Sequence, residues 1–251
     1  MKRWMKKFTA VVATAAMVCS MGMPAFAAED NVLNQDKINE YTHVPVFGIV
    51  EADGIEVWSK IETNVETEML SVEDKLELGR DTLESVMDYQ DKGGAINWDE
   101  DGVETVVKDL YPDLYPEIKE RLNPNEKFLI PLNKDTVATR GSQGHRHSYT
   151  HLGILGEKLY GVTTTFNWSW NDSTKDLIGI YPSSSAESYD FAWDPVGNGI
   201  NSSNGYFING KQRYQHTTEG IFKSSIGTYA YPYMEVELWA GGSAMVGGGK
   251  R

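Results

Sequence analysis

Three of the five histidines in this 251-residue chain fall within "GHRHSYTHLG", as His145, His147 and His151. Successive side chains of an extended segment point to opposite sides, so these three and Tyr149 share one face. With the single cysteine, Cys19, expected to be lost with an export signal, a zinc or copper site must be built from imidazole and carboxylate. An i, i+2 pair of histidines on a strand can reach one ion. The third histidine, four residues on, needs a bend, or else His216 or an acid completes the set. The competing reading is a polar segment of Ser, Gly and His entering a strand. No HExxH motif supplies a local glutamate base.

A second group lies in "GTYAYPYMEVELWAGG". Met234, Val236, Leu238 and Ala240 make an inner row, which turns Tyr229, Tyr231, Tyr233, Glu235, Glu237 and Trp239 outward. Aromatic rings pack on the apolar faces of sugars and carboxylates take their hydroxyl hydrogens, so this row suits carbohydrate binding. Glu235 and Glu237 are about 7 Å apart along a strand, near the carboxylate spacing of inverting glycosidases. Neighbours on one strand cannot flank a sugar ring from opposite sides, and the reading is therefore binding without catalysis. In "EKLYGVTTTFNWSWND", Tyr160, Val162, Thr164, Phe166, Trp168 and Trp170 share a face. The opposite face carries Thr163, Thr165, Asn167 and Ser169, a poor core, so the rings are expected inside.

"NWDEDGVETVVK" places Asn97, Asp99, Asp101 and Gly102 at positions one, three, five and six of a calcium loop. Lys108 stands where the closing glutamate belongs, which favours a turn with Asp99 or Asp101 capping the next helix. "GGSAM" is not a nucleophile elbow, and "VGGGKR" has no following helix to cradle a phosphate.

The elements that carry these groups follow from pattern and punctuation. The chain opens with Lys2, Arg3, Lys6 and Lys7, an apolar stretch from Phe8 to about Met23, and Ala25-Phe26-Ala27, the layout of a secretory signal over residues 1–27. Cys19, the single cysteine, falls inside it, so the expected mature chain has no thiol chemistry and no disulfides. Residues 28–138 hold 27 acidic and 10 basic side chains, whereas residues 139–251 hold 9 of each. This asymmetry predicts an acidic, mainly helical and partly disordered region followed by an antiparallel β-sandwich domain, α+β overall. It also excludes nucleic acid as a natural partner.

In the acidic half, "LSVEDKLELGRDTLESVMDYQDKGG" predicts a helix with Ser71 as cap, Leu76, Leu83 and Met87 inside, and Gly93-Gly94 as stop. A second helix is predicted from Gly102 to Leu110, ended by Pro112. "HVPVFGIVEADGIEVWSKIE" predicts a hairpin about Asp53-Gly54. After Arg140 the period changes to two. "YDFAWD" reads as a strand alternating Tyr189, Phe191 and Trp193 with Asp190, Ala192 and Asp194, "GYFINGKQRYQH" as a hairpin at Asn209-Gly210, and the Tyr229–Trp239 run as one long strand.

The order "FNWSWNDSTKD", "FAWDPVGNG", "TEGIF" and "YPYMEVELWAGG", over roughly residues 150 to 245, resembles the C-terminal β modules of uncharacterised secreted proteins of Gram-positive bacteria. The resemblance implies export and a β fold and brings no activity with it. The expectation is a secreted, non-enzymatic binding protein without a membrane anchor. Its partner would be cell-wall or extracellular glycan, met through the Tyr229–Trp239 row. One alternative is an antagonistic, toxin-like β domain freed from an acidic pro-segment by cleavage near Arg140. The other is a metal-dependent protein built on His145, His147 and His151.

Overall fold

A computed structural model describes residues 37–52, 69–122, 127–130 and 142–251. Residues 38–251 form one compact unit. The strands are β1 (Phe47–Ala52), β2 (Ile96–Trp98), β3 (Lys127–Ile130), β4 (Ser142–Leu152), β5 (Lys158–Trp170), β6 (Leu177–Ser188), β7 (Trp193–Ile208), β8 (Arg213–Ser224), β9 (Tyr229–Ala230), β10 (Pro232–Trp239) and β11 (Ala244–Lys250). They form two antiparallel sheets, one in the order β2-β1-β4-β5-β6 and the other β3-β11-β10-β8-β7, with β9 added to β8. The α+β class with a β-rich C-terminal half is therefore present.

Helix α1 (Val72–Asp91) starts where the sequence places it. Ser71 Oγ accepts from the Asp74 N–H at 3.2 Å, and Gly93, at φ +84°, follows the last turn. Its inward stripe is Leu83, Val86 and Met87, and Leu76 packs at the edge of the same cluster. The second helical segment runs through α2 (Glu100–Gly102), a π-helical turn (Val103–Val107) and α3 (Lys108–Leu110), burying Val103, Val106 and Val107 and stopping before Pro112. Tyr115–Glu120 forms α4.

Two cores result. Between the sheets lie Val50, Tyr149, Tyr160, Val162, Phe166, Trp168, Phe222, Met234, Val236, Leu238 and Val246. On the far side of β1 and β2, Phe47, Ile49, Ile96 and Trp98 meet Leu83, Val103, Val107 and Ile154. Strand β1 is thus buried on both faces, which explains its near-continuous apolar run.

Hydrogen bonding crosses the compositional change at Arg140. Strand β1 pairs with β4 from Phe47↔Leu152 to Ala52↔His147, and β3 pairs with β11. The acidic half thus contributes β1 and β2 to one sheet and β3 to the other, as well as the helices. The expected turn at Asp53-Gly54 lies outside the described residues.

Two strand expectations change. "YDFAWD" is mostly a turn: Asp190 Oδ1 accepts from the Ala192 N–H at 2.7 Å, leaving Phe191 80% exposed. The terminal run breaks at Tyr231 into β9 and β10. It is then followed by a further strand, β11, reached through Gly241 and Gly242 at φ +107° and +89°. The Asn209-Gly210 turn is present, both residues having positive φ, within a four-residue loop between Ile208 and Arg213. Among the described residues no helix is long and apolar enough to cross a membrane.

Candidate functional site

The face of β10 follows from its alternation. Met234, Val236 and Leu238 are at most 1% exposed and lie between the sheets, so Glu235, Glu237 and Trp239 point to the outer side. Register then identifies their neighbours. Glu237 lies between Gln215 of β8 and Met245 of β11, and Gln215 lies beside Tyr206 of β7. The next row joins Asn204, Thr217, Glu235 and Gly247, and the row on the other side joins Ile208, Arg213 and Trp239.

This outer face is polar and pre-ordered. Arg213 Nη1 donates to Glu237 Oε1 at 2.8 Å, fixing the carboxylate, and Tyr206 Oη donates to Gln215 Oε1 at 2.9 Å. Tyr206 is 58% exposed, and Glu235, Glu237 and Trp239 are half-buried. Neighbouring strands are about 4.8 Å apart, so Tyr206, Glu237 and Trp239 fit within the footprint of one or two sugar rings.

The expected row is only partly assembled. Tyr233 does point outward, but its ring packs on Gly249 and under the Arg251 guanidinium, 4.8 Å from the ring centroid, leaving it 7% exposed. Arg251 is itself held by Glu219 at 2.9 Å. Tyr231 lies at the break between β9 and β10 and is half-buried. Tyr229 is 47% exposed but belongs to β9, where Lys223 lies over its ring. The face therefore consists of Glu235, Glu237 and Trp239 with Tyr206 added. The alternation of the sequence does not reveal Tyr206: a two-residue turn at Asn209-Gly210 would set Tyr206 against Arg213, and the four-residue loop moves it beside Gln215 instead.

The histidines do share a face, and it is the inward one. His147 is 0% and His151 1% exposed, and burial lowers their pKa to about 3 and about 4. The rings pack against aromatics, His147 on Phe166 and His151 stacked on Tyr160 at 5.0 Å. Strand β4 runs straight through them, so His145 and His151 are about 20 Å apart and do not converge. Among the described residues, no group of three or more His, Cys, Asp or Glu could hold a metal ion. His216 lies on β8, where Ser203 Oγ and His216 Nε2 are 3.0 Å apart and Tyr214 Oη is 3.4 Å from Nδ1.

The calcium-like loop is an N-cap. Asp99 Oδ1 accepts from the Gly102 N–H at 3.0 Å, and the Lys250 ammonium sits 3.1 Å from Asp99 Oδ2 and 3.2 Å from Asp101 Oδ2. A side-chain cation from β11 thus occupies the position a metal would need. Beside this corner is a cavity of 240 Å³.

Comparison with family models, with curated proteins and with solved structures finds no match to this chain.

Proposed function

We propose that this chain is an exported, non-catalytic binding protein that recognises cell-wall or extracellular glycan through the outer face of the β3-β11-β10-β8-β7 sheet. The observation that supports this reading most is the row Tyr206–Gln215–Glu237, flanked by Arg213 and Trp239. It combines flat rings for apolar sugar faces with hydrogen-bonding groups already fixed by their neighbours, so little side-chain entropy remains to be lost on binding. Export rests on the basic, apolar and small-residue order of residues 1–27.

The pairing of β1 with β4 and of β3 with β11 weighs against release of a free β domain by cleavage near Arg140, because the removed part would carry strands of both sheets. Co-sedimentation with insoluble cell-wall polysaccharide tests the proposal. The chain should pellet with the glycan, and the pair Tyr206→Ala and Trp239→Ala should leave it in the supernatant. Undiminished sedimentation of a folded double variant would overturn the assignment of the face.

A further inference from the structure

We infer that the end of the molecule carrying Phe191 and Ile226 inserts into the interface of a zwitterionic lipid bilayer. This end lies away from the glycan face, whose Tyr206 is near the far end of β7. Phe191 is 80% and Ile226 89% exposed, and neither belongs to a core cluster. Each sits within a tight turn, a place that ordinarily goes to Gly, Pro, Asn, Asp or Ser. The first turn is closed by Trp193 N–H donating to Asp190 O at 3.2 Å, the second by Gly227 N–H donating to Ser224 O at 2.9 Å. Ser225 N–H then donates to Ala192 O at 2.8 Å, which ties the two turns together and presents their apolar tips as neighbours.

Behind each tip lies an exposed tyrosine with a lysine over its ring. Lys158 Nζ is 5.9 Å from the ring centroid of Tyr189, on the approach to Phe191. Lys223 Nζ is 5.6 Å from that of Tyr229, just beyond Ile226. Apolar tip, amphipathic ring and ammonium follow the order in which a bilayer passes from acyl chain to interface to phosphate.

Charge identifies the kind of leaflet. Asp190 is paired with His43 at 3.0 Å, Asp194 lies opposite Lys223 in the pairing of β7 with β8, and Glu187 adjoins the Tyr189 hydroxyl. Two ammoniums are thus matched by two carboxylates, while the whole chain carries a net charge of −13. An anionic leaflet would repel such a chain, whereas the phosphate and choline of a zwitterionic headgroup complement both signs. A protein partner would need a contiguous face of roughly 800 Å², and two projecting side chains with the exposed Ser225 between them do not supply one. A fluid surface accepts them, and insertion this shallow is weak and reversible.

Residues 28–251 include the whole compact unit and lack both the apolar signal and the single cysteine, so this chain serves for the test. It should float with phosphatidylcholine vesicles at millimolar lipid. The double variant Phe191→Ser with Ile226→Ser should reduce the floated fraction at least fivefold, and Ile178→Ser, at an exposed apolar residue of β6, should leave it unchanged. An environment-sensitive NBD group attached through Ile226→Cys should brighten at least twofold on addition of vesicles, and one attached through Ile178→Cys should not. No flotation of the parent, undiminished flotation of the folded double variant, or equal brightening at both positions would overturn the inference. So would a dimer of the parent that the double variant abolishes, because the tips would then meet a second copy of the chain.

Discussion

Tyr149 and Gly248 touch across the two sheets: a Cβ added to Gly248 would stand 2.3 Å from the Tyr149 ring. The same ring reaches Gly48 on the adjacent strand β1, where an added Cβ would meet the hydroxyl at 2.1 Å. The glycine run of β11 is therefore a seat for a buried tyrosine. Gly248→Ala should destabilise the protein by roughly 1–3 kcal/mol, the usual range for overpacking a tight core. Urea unfolding measures it, and Gly210→Asn, in a turn with open space around it, should cost well under 1 kcal/mol by the ordinary tolerance of αL positions for Asn.

The buried histidines make stability depend on mild acid. Burial holds His147 at about 3 and His151 and His216 at about 4, whereas an unfolded imidazole titrates near 6.5. The native state keeps them neutral, so their contribution is complete above about pH 6.5 and is lost as pH falls towards the folded values. Unfolding free energy should drop by several kcal/mol, to order of magnitude, between pH 7 and pH 4. His147→Leu should flatten part of that slope, and a slope unchanged in the folded variant would contradict this.

Glu157 has the opposite sign. Its Oε2 accepts from the Leu155 N–H at 2.9 Å, while Oε1 is enclosed without a partner, and burial pushes the carboxyl up to about 8. The residue as a whole is half-buried, but the carboxyl oxygen is not reached by solvent. The neutral acid is the form the fold favours, so its contribution is full below the unfolded value near 4.5 and is lost as pH rises through about 8. Glu157→Gln should match the parent at pH 5 and exceed its thermal midpoint at pH 9.

Asp99 should separate capping from charge. Asp99→Ala removes the acceptor for Gly102 N–H and leaves Lys250 paired with Asp101 alone, costing about 1–2 kcal/mol through the cap alone. Asp99→Asn should recover most of that loss in the same denaturation experiment.

How much of this was readable from sequence depends on the range of the interaction involved. Ser71 with Asp74, Gly93 after the helix, and the Val103, Val106, Val107 stripe are local signals, and each is found where the spacing puts it. The inward rings of β5 were also legible, because Thr163, Thr165 and Asn167 could not form the alternative core. The pairing of β1 with β4 and of β3 with β11 was not, since it joins segments far apart along the chain that differ in charge. Strand β11 was hidden by its glycines, whose purpose is visible only once Tyr149 is seen lying on them. Tyr233 failed as a binding residue for a related reason: Arg251, eighteen positions on, covers it through a contact that no periodicity reports.

The proposed recognition face is tested most directly by titrating a soluble cell-wall oligosaccharide into isotopically labelled protein and following amide and indole chemical shifts. Saturable changes concentrated at Tyr206, Gln215, Glu235, Glu237 and Trp239 are expected, with the interior rows left undisturbed. Saturable changes confined to any other surface, or none at all at millimolar oligosaccharide, would contradict glycan binding by this sheet.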